Sequence, residues 1–383
     1  SRRMKVGITT LGCDAGKSGI SQYLLRLLRE FSTMQGDVSF EVIGHPSERA
    51  IWLGEGRELP WVDAGDWHKS AMVNVAWHQA MLRGLCNRRG YDVLFLPAGN
   101  RRVPVTAPCP TVGMVHDFSH LHIENKYDPL RTLYQDRVLP WMIRKLIRVL
   151  TISESSKRDI IEHARVPADR ITIIPHGVDH EVYKPCNRED SARTVAAKYS
   201  VRPPYLLYIS RIEHPGKNHV RLIEAFERLK ERDAIPHQLV LAGGDWHGAD
   251  EVHRRAQNSP YASEIVFTGF ASLADLPDLY RGADVFVFPS LYEGFGMPIL
   301  EAMACGTPVA CSNVSSMPEV AGDAGVLFDP ISAEAIADAL ARMLRNDSER
   351  ARLANAGIAR AEGFTWRASA ETHLNVFRAS IAK

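Results

Sequence analysis

Asp284-Val-Phe-Val-Phe-Pro-Ser-Leu-Tyr-Glu-Gly-Phe-Gly-Met-Pro-Ile-Leu-Glu-Ala-Met-Ala-Cys-Gly306 is the stretch on which the architecture of this chain turns. Val285 to Phe288 is an unbroken apolar run that suits a parallel strand covered on both faces, and Pro289 ends it. Pro298 has the fixed φ of a first helical turn and Gly306 suits the position just past a helix end, so a helix of about two turns lies between them. Gly294 and Gly296 flank Phe295 in the connecting turn, where they permit tight main chain and close approach of a ligand. Bare N–H groups at the start of such a helix carry partial positive charge that attracts anions.

Two carboxylates frame the turn, Glu293 before it and Glu301 within the helix. A single acid at a helix start is most simply a capping device. Two acids straddling a glycine turn at the carboxyl end of a strand suggest more, because that edge of an open α/β sheet is where ligands bind. Each carboxylate offers two acceptor oxygens, which fits neighbouring sugar hydroxyls: Glu301 for a ribose diol, Glu293 for a hexose hydroxyl.

Working outward, strand candidates at Lys5 to Thr10, Val38 to Ile43, Asp92 to Pro97, Thr111 to Val115, Arg148 to Ile152 and Ile171 to Pro175 alternate with helical stretches. A second series follows at Tyr205 to Ser210, Gln238 to Ala242, Ile265 to Thr268, Pro308 to Cys311 and Val326 to Phe328. Strands separated by helices argue for parallel sheets of βαβ units. The fold class is therefore α/β, with two Rossmann-like domains. The stretch from Glu48 to Trp67, rich in Gly, Pro and Trp, resists assignment, and Pro185 through Asp190 reads as a linker.

A length of 383 residues suits two domains, and 45% hydrophobic with 24% charged residues is ordinary for a soluble globular chain. No apolar run approaches the ~18 residues of a membrane span. Six cysteines at positions 13, 86, 109, 186, 305 and 311 show no paired metal spacing and point to a reducing cytoplasm. No signal peptide is expected, and Ser1-Arg2-Arg3 reads as an added tail ahead of a native Met4. Residues 1–178 carry 24 Lys+Arg against 18 Asp+Glu, leaving 22 against 27 for the remainder. That basic first half is solvated surface or a face for an anionic membrane.

Several local patterns bear on chemistry. Gly12-Cys-Asp-Ala-Gly-Lys-Ser-Gly19 imitates a phosphate-binding P-loop, but only three residues separate Gly12 from Gly16-Lys17-Ser18 where four are needed, and position 11 is Leu. His116-Asp117-Phe-Ser-His120-Leu-His122 invites a metal reading, yet the spacing matches no regular two-ligand helix. A single His at a strand's carboxyl end, facing a crevice, is better suited to donating a hydrogen bond to a substrate. Arg131 to Lys145 mixes cations with Leu133, Trp141, Met142 and Ile143 and reads as a helix kinked at Pro140, with a basic face that is solvated or lies on a membrane. Ser153 is a natural N-cap. Arg211 and Lys217 stand at the carboxyl end of the Tyr205 strand, before a helix starting near Asn218, where both can reach one diphosphate. Gly243 and Gly269, at the ends of the next two strands, suit admission of a nucleoside or a plain turn.

Glu293-Gly-Phe-Gly-Met-Pro-Ile-Leu-Glu301 resembles the two-glutamate, seven-spacer signature of the retaining nucleotide-sugar glycosyltransferases of family 4, which have the GT-B fold. The likeness extends to the glycine turn at Gly16 and Gly19, to His116-Asp117, to the serine turn at Ser153, to Ile173-Ile-Pro-His-Gly-Val-Asp179, and to the Arg211 and Lys217 pair. It implies an acceptor-side domain over 1–178, rejoined by a helix at about 366–383, and a nucleotide-sugar domain over 179–365. It further implies that Gly19, with Gly16 beside it, faces the donor phosphates and that His116 lies beside the sugar's reacting carbon. Arg211 and Lys217 would hold the diphosphate, and Gly243, Gly269, Glu293, Gly294, Phe295, Gly296, Met297 and Glu301 would complete the donor site. His116, Glu293, Arg211 and Lys217 are then the catalytic candidates, with no metal and no cofactor besides the nucleotide-sugar substrate. The acceptor would be a glycan or lipid-linked saccharide, with no nucleic acid partner. The His-Asp and Pro-His-Gly-Val-Asp pieces are nearer to family members that use GDP-mannose. The rival classes are an epimerase or phosphorylase on the same fold, a P-loop hydrolase using Lys17, and a sugar-nucleotide sensor without chemistry.

Overall fold

A computed structural model describes residues 2–16, 18–34, 36–54, 56–65, 71–106, 109–118 and 133–382. The chain divides into two compact units, one comprising Ser1–Gly177 with Trp366–Lys383 and the other Val178–Thr365.

The first unit carries a parallel sheet of β1 (Met4–Thr9), β2 (Val38–Gly44), β3 (Trp61–Asp63), β4 (Val93–Leu96), β5 (Thr111–Met114), β6 (Arg148–Thr151) and β7 (Ile171–Ile173). Its order is β3-β2-β1-β4-β5-β6-β7, so the winding reverses between β1 and β4. The helix Gly19–Thr33 buries Ile20, Tyr23, Leu24, Leu27, Leu28 and Phe31, the stripe expected from its period. Ser18 and Ser21 cap its start reciprocally. The terminal helix Trp366–Ile381 packs into the same core: Phe377 is fully buried, with its ring 5.2 Å from that of Phe95 and 6.3 Å from that of Phe31. Emptying the Phe377 site would cost about 3–5 kcal/mol.

Three local expectations are corrected. The unassigned stretch contains β3, a three-residue edge strand paired with β2. The supposed linker ends early, because the helix Arg188–Tyr199 begins inside it, with the Asn187 side chain accepting from Asp190 N–H at 3.1 Å. The single kinked helix is instead a π-helical turn, Tyr134–Val138, running into the short α-helix Leu139–Ile143, while Arg131 lies outside the described residues. Pro140 has no N–H to give the carbonyl four residues back, and the wider register, with Leu139 N–H donating to Tyr134 O, accommodates that loss.

The second unit carries β8 (Tyr205–Ile209), β9 (Gln238–Ala242), β10 (Ile265–Gly269), β11 (Val285–Phe288), β12 (Val309–Ser312) and β13 (Gly325–Phe328), all parallel in the order β10-β9-β8-β11-β12-β13. The winding reverses between β8 and β11, whose residues are almost entirely buried. Such a reversal leaves a crevice at the carboxyl ends of the two strands, where ligands of doubly wound sheets bind. No helix among the described residues is long and apolar enough to cross a membrane.

Candidate functional site

The crevice of the second unit is built from the loop after β8 and the turn after β11. Main-chain and side-chain bonds lace the two together. Leu291 N–H donates to Gly216 O at 3.0 Å, and Tyr208 O–H to Lys217 O at 2.8 Å. Asn218 adopts a left-handed φ of 64°, which asparagine tolerates better than most residues. Its buried side-chain amide donates to Pro289 O and Pro330 O, both at 2.8 Å, while its oxygen accepts from Arg221. The helix after Asn218 spans His219–Asp233, starting where expected.

These constraints bring Lys217 to Glu293. The ammonium lies 2.6 Å from Glu293 Oε1, and Ser290 Oγ donates to the same oxygen at 2.7 Å. Both charged side chains are mostly covered, at 18% and 15% exposure. Glu293 is thus fixed through one oxygen by a cation and a hydroxyl. The main chain around it is held from the far side: Ser315 Oγ donates to Glu293 O at 2.5 Å, and Ser316 Oγ lies 2.8 Å from both Glu293 O and Phe295 O. Because a peptide's C=O and the following N–H point oppositely, carbonyls drawn to the serines turn the N–H groups of Gly294 and Gly296 away from them.

Gly296 has φ of 100°, a conformation that favours glycine, and precedes the helix Met297–Ala304. Phe295 is buried, its ring edge-on to Phe364 at 6.2 Å. Pro298 sits in the first helical turn and Gly306, with φ of 79°, just past the end. Glu301 projects one turn into this helix, where Tyr280 O–H donates to its Oε2 at 2.7 Å. Tyr280 is fully buried, which pushes its phenol far above the ordinary value and keeps it a donor.

Arg211 stands at the end of β8, turned toward Glu213 and Trp246, with its side chain 53% exposed. Gly243 has φ of 147°, and a Cβ there would meet Ser210 O at 1.9 Å, so the approach of β8 already demands glycine without any ligand. Gly269, φ 67°, has open space around it and accepts from Gly243 N–H at 3.0 Å. Phe270 beside it is 80% exposed.

The first unit's crevice is different in kind. His116 follows β5 and is 6% exposed. Its Nε2 lies 3.0 Å from Pro97 O, so that nitrogen carries the proton and donates. Burial, the main cause, lowers its pKa to about 4, leaving the ring neutral with Nδ1 as a lone-pair acceptor. This differs from the donor role expected of His116. Its carbonyl accepts from Ser156 Oγ at 3.1 Å, and Ser153 caps the following helix by accepting from Ser156 N–H at 3.0 Å. Around His116 sit Tyr23, His176 and His373, all buried, with Tyr23 O–H donating to His373 Nε2 at 2.7 Å. Gly19 opens the helix Gly19–Thr33, and nothing would meet a Cβ there. Gly16 has φ of 91°, following Asp14 and Ala15 at 59° and 43°. Lys17, His120 and His122 lie outside the described residues; among the described ones no group of three or more His, Cys, Asp or Glu side chains could hold a metal.

Sequence reading did not single out Ser290, Ser315, Ser316, Tyr280 or Trp246, and it named Asn218 only as a helix start. The adjacent serines after β12 were the one local signal, since paired hydroxyls there are suited to capturing turn carbonyls.

Comparison with known proteins agrees with this geometry. Residues 190–360 match the family described as "Glycosyl transferases group 1", and residues 17–182 match "Glycosyltransferase Family 4". The chain is 34% identical over 268 residues to the O-antigen chain mannosyltransferase B of Escherichia coli, covering 70% of each. It is 30% identical over 287 residues to the serotype-specific mannosyltransferase WbdA of Escherichia coli, spanning 74% of this chain and 34% of that longer protein. Among solved structures, Anabaena Alr3699/HepE in complex with UDP and glucose superposes with a TM-score of 0.75 at 18% identity, covering 98% of this chain and all of that one. The lipopolysaccharide-biosynthesis glycosyltransferase WaaG gives 0.71 at 16% identity, covering 97% and 99%. At such identities the structures speak for the fold alone. Together with the family matches and the closely covered mannosyltransferase, they establish that the chain belongs to the family 4 glycosyltransferases of GT-B fold.

Proposed function

We propose that the protein transfers a hexose, mannose in the first instance, from a nucleotide sugar to a glycan or lipid-linked saccharide, with retention at the anomeric carbon and without a metal. The reading rests on one observation above all: Lys217 and Glu293 in contact at the β8–β11 reversal, with Arg211 on the same edge. Negative charge develops on the leaving diphosphate as the glycosidic bond breaks. Two cations at that edge, with the positive end of the Met297–Ala304 helix, favour the transition state over the ground state. Glu293, with one oxygen held by Lys217 and Ser290, is oriented for sugar hydroxyls rather than for attack at carbon. Glu301, tethered by Tyr280, is suited to a ribose diol.

Mannose is supported by the mannosyltransferase relatives, and retention by the likeness of the Glu293-to-Glu301 segment. On the first unit, neutral His116 offers a lone pair to an acceptor or sugar hydroxyl. The same unit presents Leu133, Val138, Trp141 and Ile147 exposed beside Arg137 and Lys145, with the Lys145 ammonium 5.0 Å from the Trp141 ring. We read this as a face for the anionic inner surface of a membrane, from a cytoplasmic location. The decisive assay follows GDP-mannose and other nucleotide sugars with saccharide acceptors by NMR, with and without EDTA. Product with the donor's anomeric configuration, unaffected by the chelator, is expected. Inverted product, or a need for inorganic phosphate in place of an acceptor alcohol, would overturn the reading.

A further inference from the structure

Resting on the donor reading above, we propose that Trp246 is a positioning residue that holds the Arg211 guanidinium at the ligand edge for a diphosphate. Among the described residues, Glu213 and Trp246 meet the Arg211 side chain there. Its Nη2 lies 3.1 Å from Glu213 Oε2, but that buried oxygen receives no hydrogen bond, so the carboxylate attracts the guanidinium without orienting it. Orientation comes from Trp246, whose ring centroid is 5.1 Å from the guanidinium carbon. A guanidinium over an indole face is confined to a plane parallel to the ring while its N–H groups stay available at the rim.

The backbone dictates this pairing. After β8 and β9 the two segments continue side by side: Ile212 N–H donates to Gly244 O at 3.0 Å, Trp246 N–H to Ile212 O at 2.9 Å, and His214 N–H to His247 O at 3.0 Å. Ile212 and Asp245 form an isolated parallel bridge. Trp246 is therefore presented to Arg211 by a ribbon of main-chain bonds. The indole remains 60% exposed, which a role in core packing does not explain.

The alternative for an exposed indole at this edge is stacking on the nucleobase. Inorganic pyrophosphate separates the two, because it has a diphosphate and no base. Calorimetric titration of the full chain and of W246A, W246F, R211A and the W246A/R211A double variant with GDP, UDP and pyrophosphate is the test. Positioning predicts that W246A weakens pyrophosphate and the bound nucleotide alike, by roughly fivefold, and that W246F retains most of the affinity. It also predicts that the double variant is no weaker than R211A alone. Loss of nucleotide affinity in W246A with pyrophosphate unaffected, or additive losses in the double variant, would overturn it. Failure of the donor reading looks different: a wild-type chain that binds neither nucleoside diphosphate nor pyrophosphate overturns both. Because Trp246 is largely exposed, melting temperatures of the variants should match wild type, and a fall of W246A alone would assign the residue to the fold instead.

Discussion

The two sheet edges at which the winding reverses are built alike and furnished oppositely. In the second unit the edge carries charged side chains: Lys217 on Glu293, and half-exposed Arg211, after β8, with Glu213. In the first unit the groups behind the edge are shut in and uncharged: His116, His176 and His373 are buried, and burial lowers the pKa of each. Among the described charged groups there, Arg101 and Asp14 are paired with each other. Topology supplies a crevice in both places; in the second unit Lys217 and Arg211 stand on it, each with a carboxylate partner, whereas in the first the histidines beside it are buried and neutral. The lesson is that a strand-order reversal marks where a ligand can sit, while side-chain charge decides which ligand.

Charge removal at the second edge is the strongest way to break this contrast. Lys217→Ala should lower kcat/KM by about a hundredfold, since it deletes a charge-assisted bond to the diphosphate and leaves Glu293 largely covered without its cation. Steady-state kinetics with unchanged far-UV spectra checks this. Arg211→Ala should cost roughly ten- to a hundredfold in turnover, with little change in melting temperature because the side chain is half exposed.

The first edge should respond to pH through stability instead. His116 and His373 each sit near 4 in the fold against an ordinary 6.5, with burial as the first cause. Between those values the unfolded chain binds protons that the folded chain refuses, so stability present above pH 6.5 is lost as pH falls toward 4. Denaturant midpoints between pH 7 and 4.5 should fall accordingly. His373→Gln should flatten that fall, and a slope identical to wild type would contradict the buried-neutral assignment. The smallest effect is expected from Tyr280→Phe, which removes one hydrogen bond to Glu301 and should raise the donor KM by roughly two- to tenfold while leaving kcat nearly unchanged.

Most of the fold could be read from residue pattern because its strands are buried parallel runs such as Val285 to Phe288, and its helix limits carry strong signals such as Pro298 and Gly306. What escaped has physical reasons. Trp61–Asp63 is an edge strand of three partly exposed residues, too short to show a period. Arg188 to Asp190 looked like polar linker because the first turn of a helix is polar when its cap is Asn187. In the site, the residue types of Lys217, Glu293 and Glu301 were legible, but their partners were not. Lys217 and Glu293 are 76 positions apart, and the Tyr280, Ser315 and Ser316 contacts arise only when helices and loops are packed. The tautomer of His116 was beyond sequence altogether, because it is set by the carbonyl of Pro97.

The central claim, that the β8–β11 edge grips an activated sugar by its diphosphate, is tested most directly by the affinity of the full chain for GDP-mannose against that of an R211A/K217A variant, both measured by isothermal titration calorimetry. The account predicts binding by the wild type and a loss of roughly a hundredfold or more in the variant, with the far-UV spectrum unchanged. Equal affinity in the two proteins would contradict it.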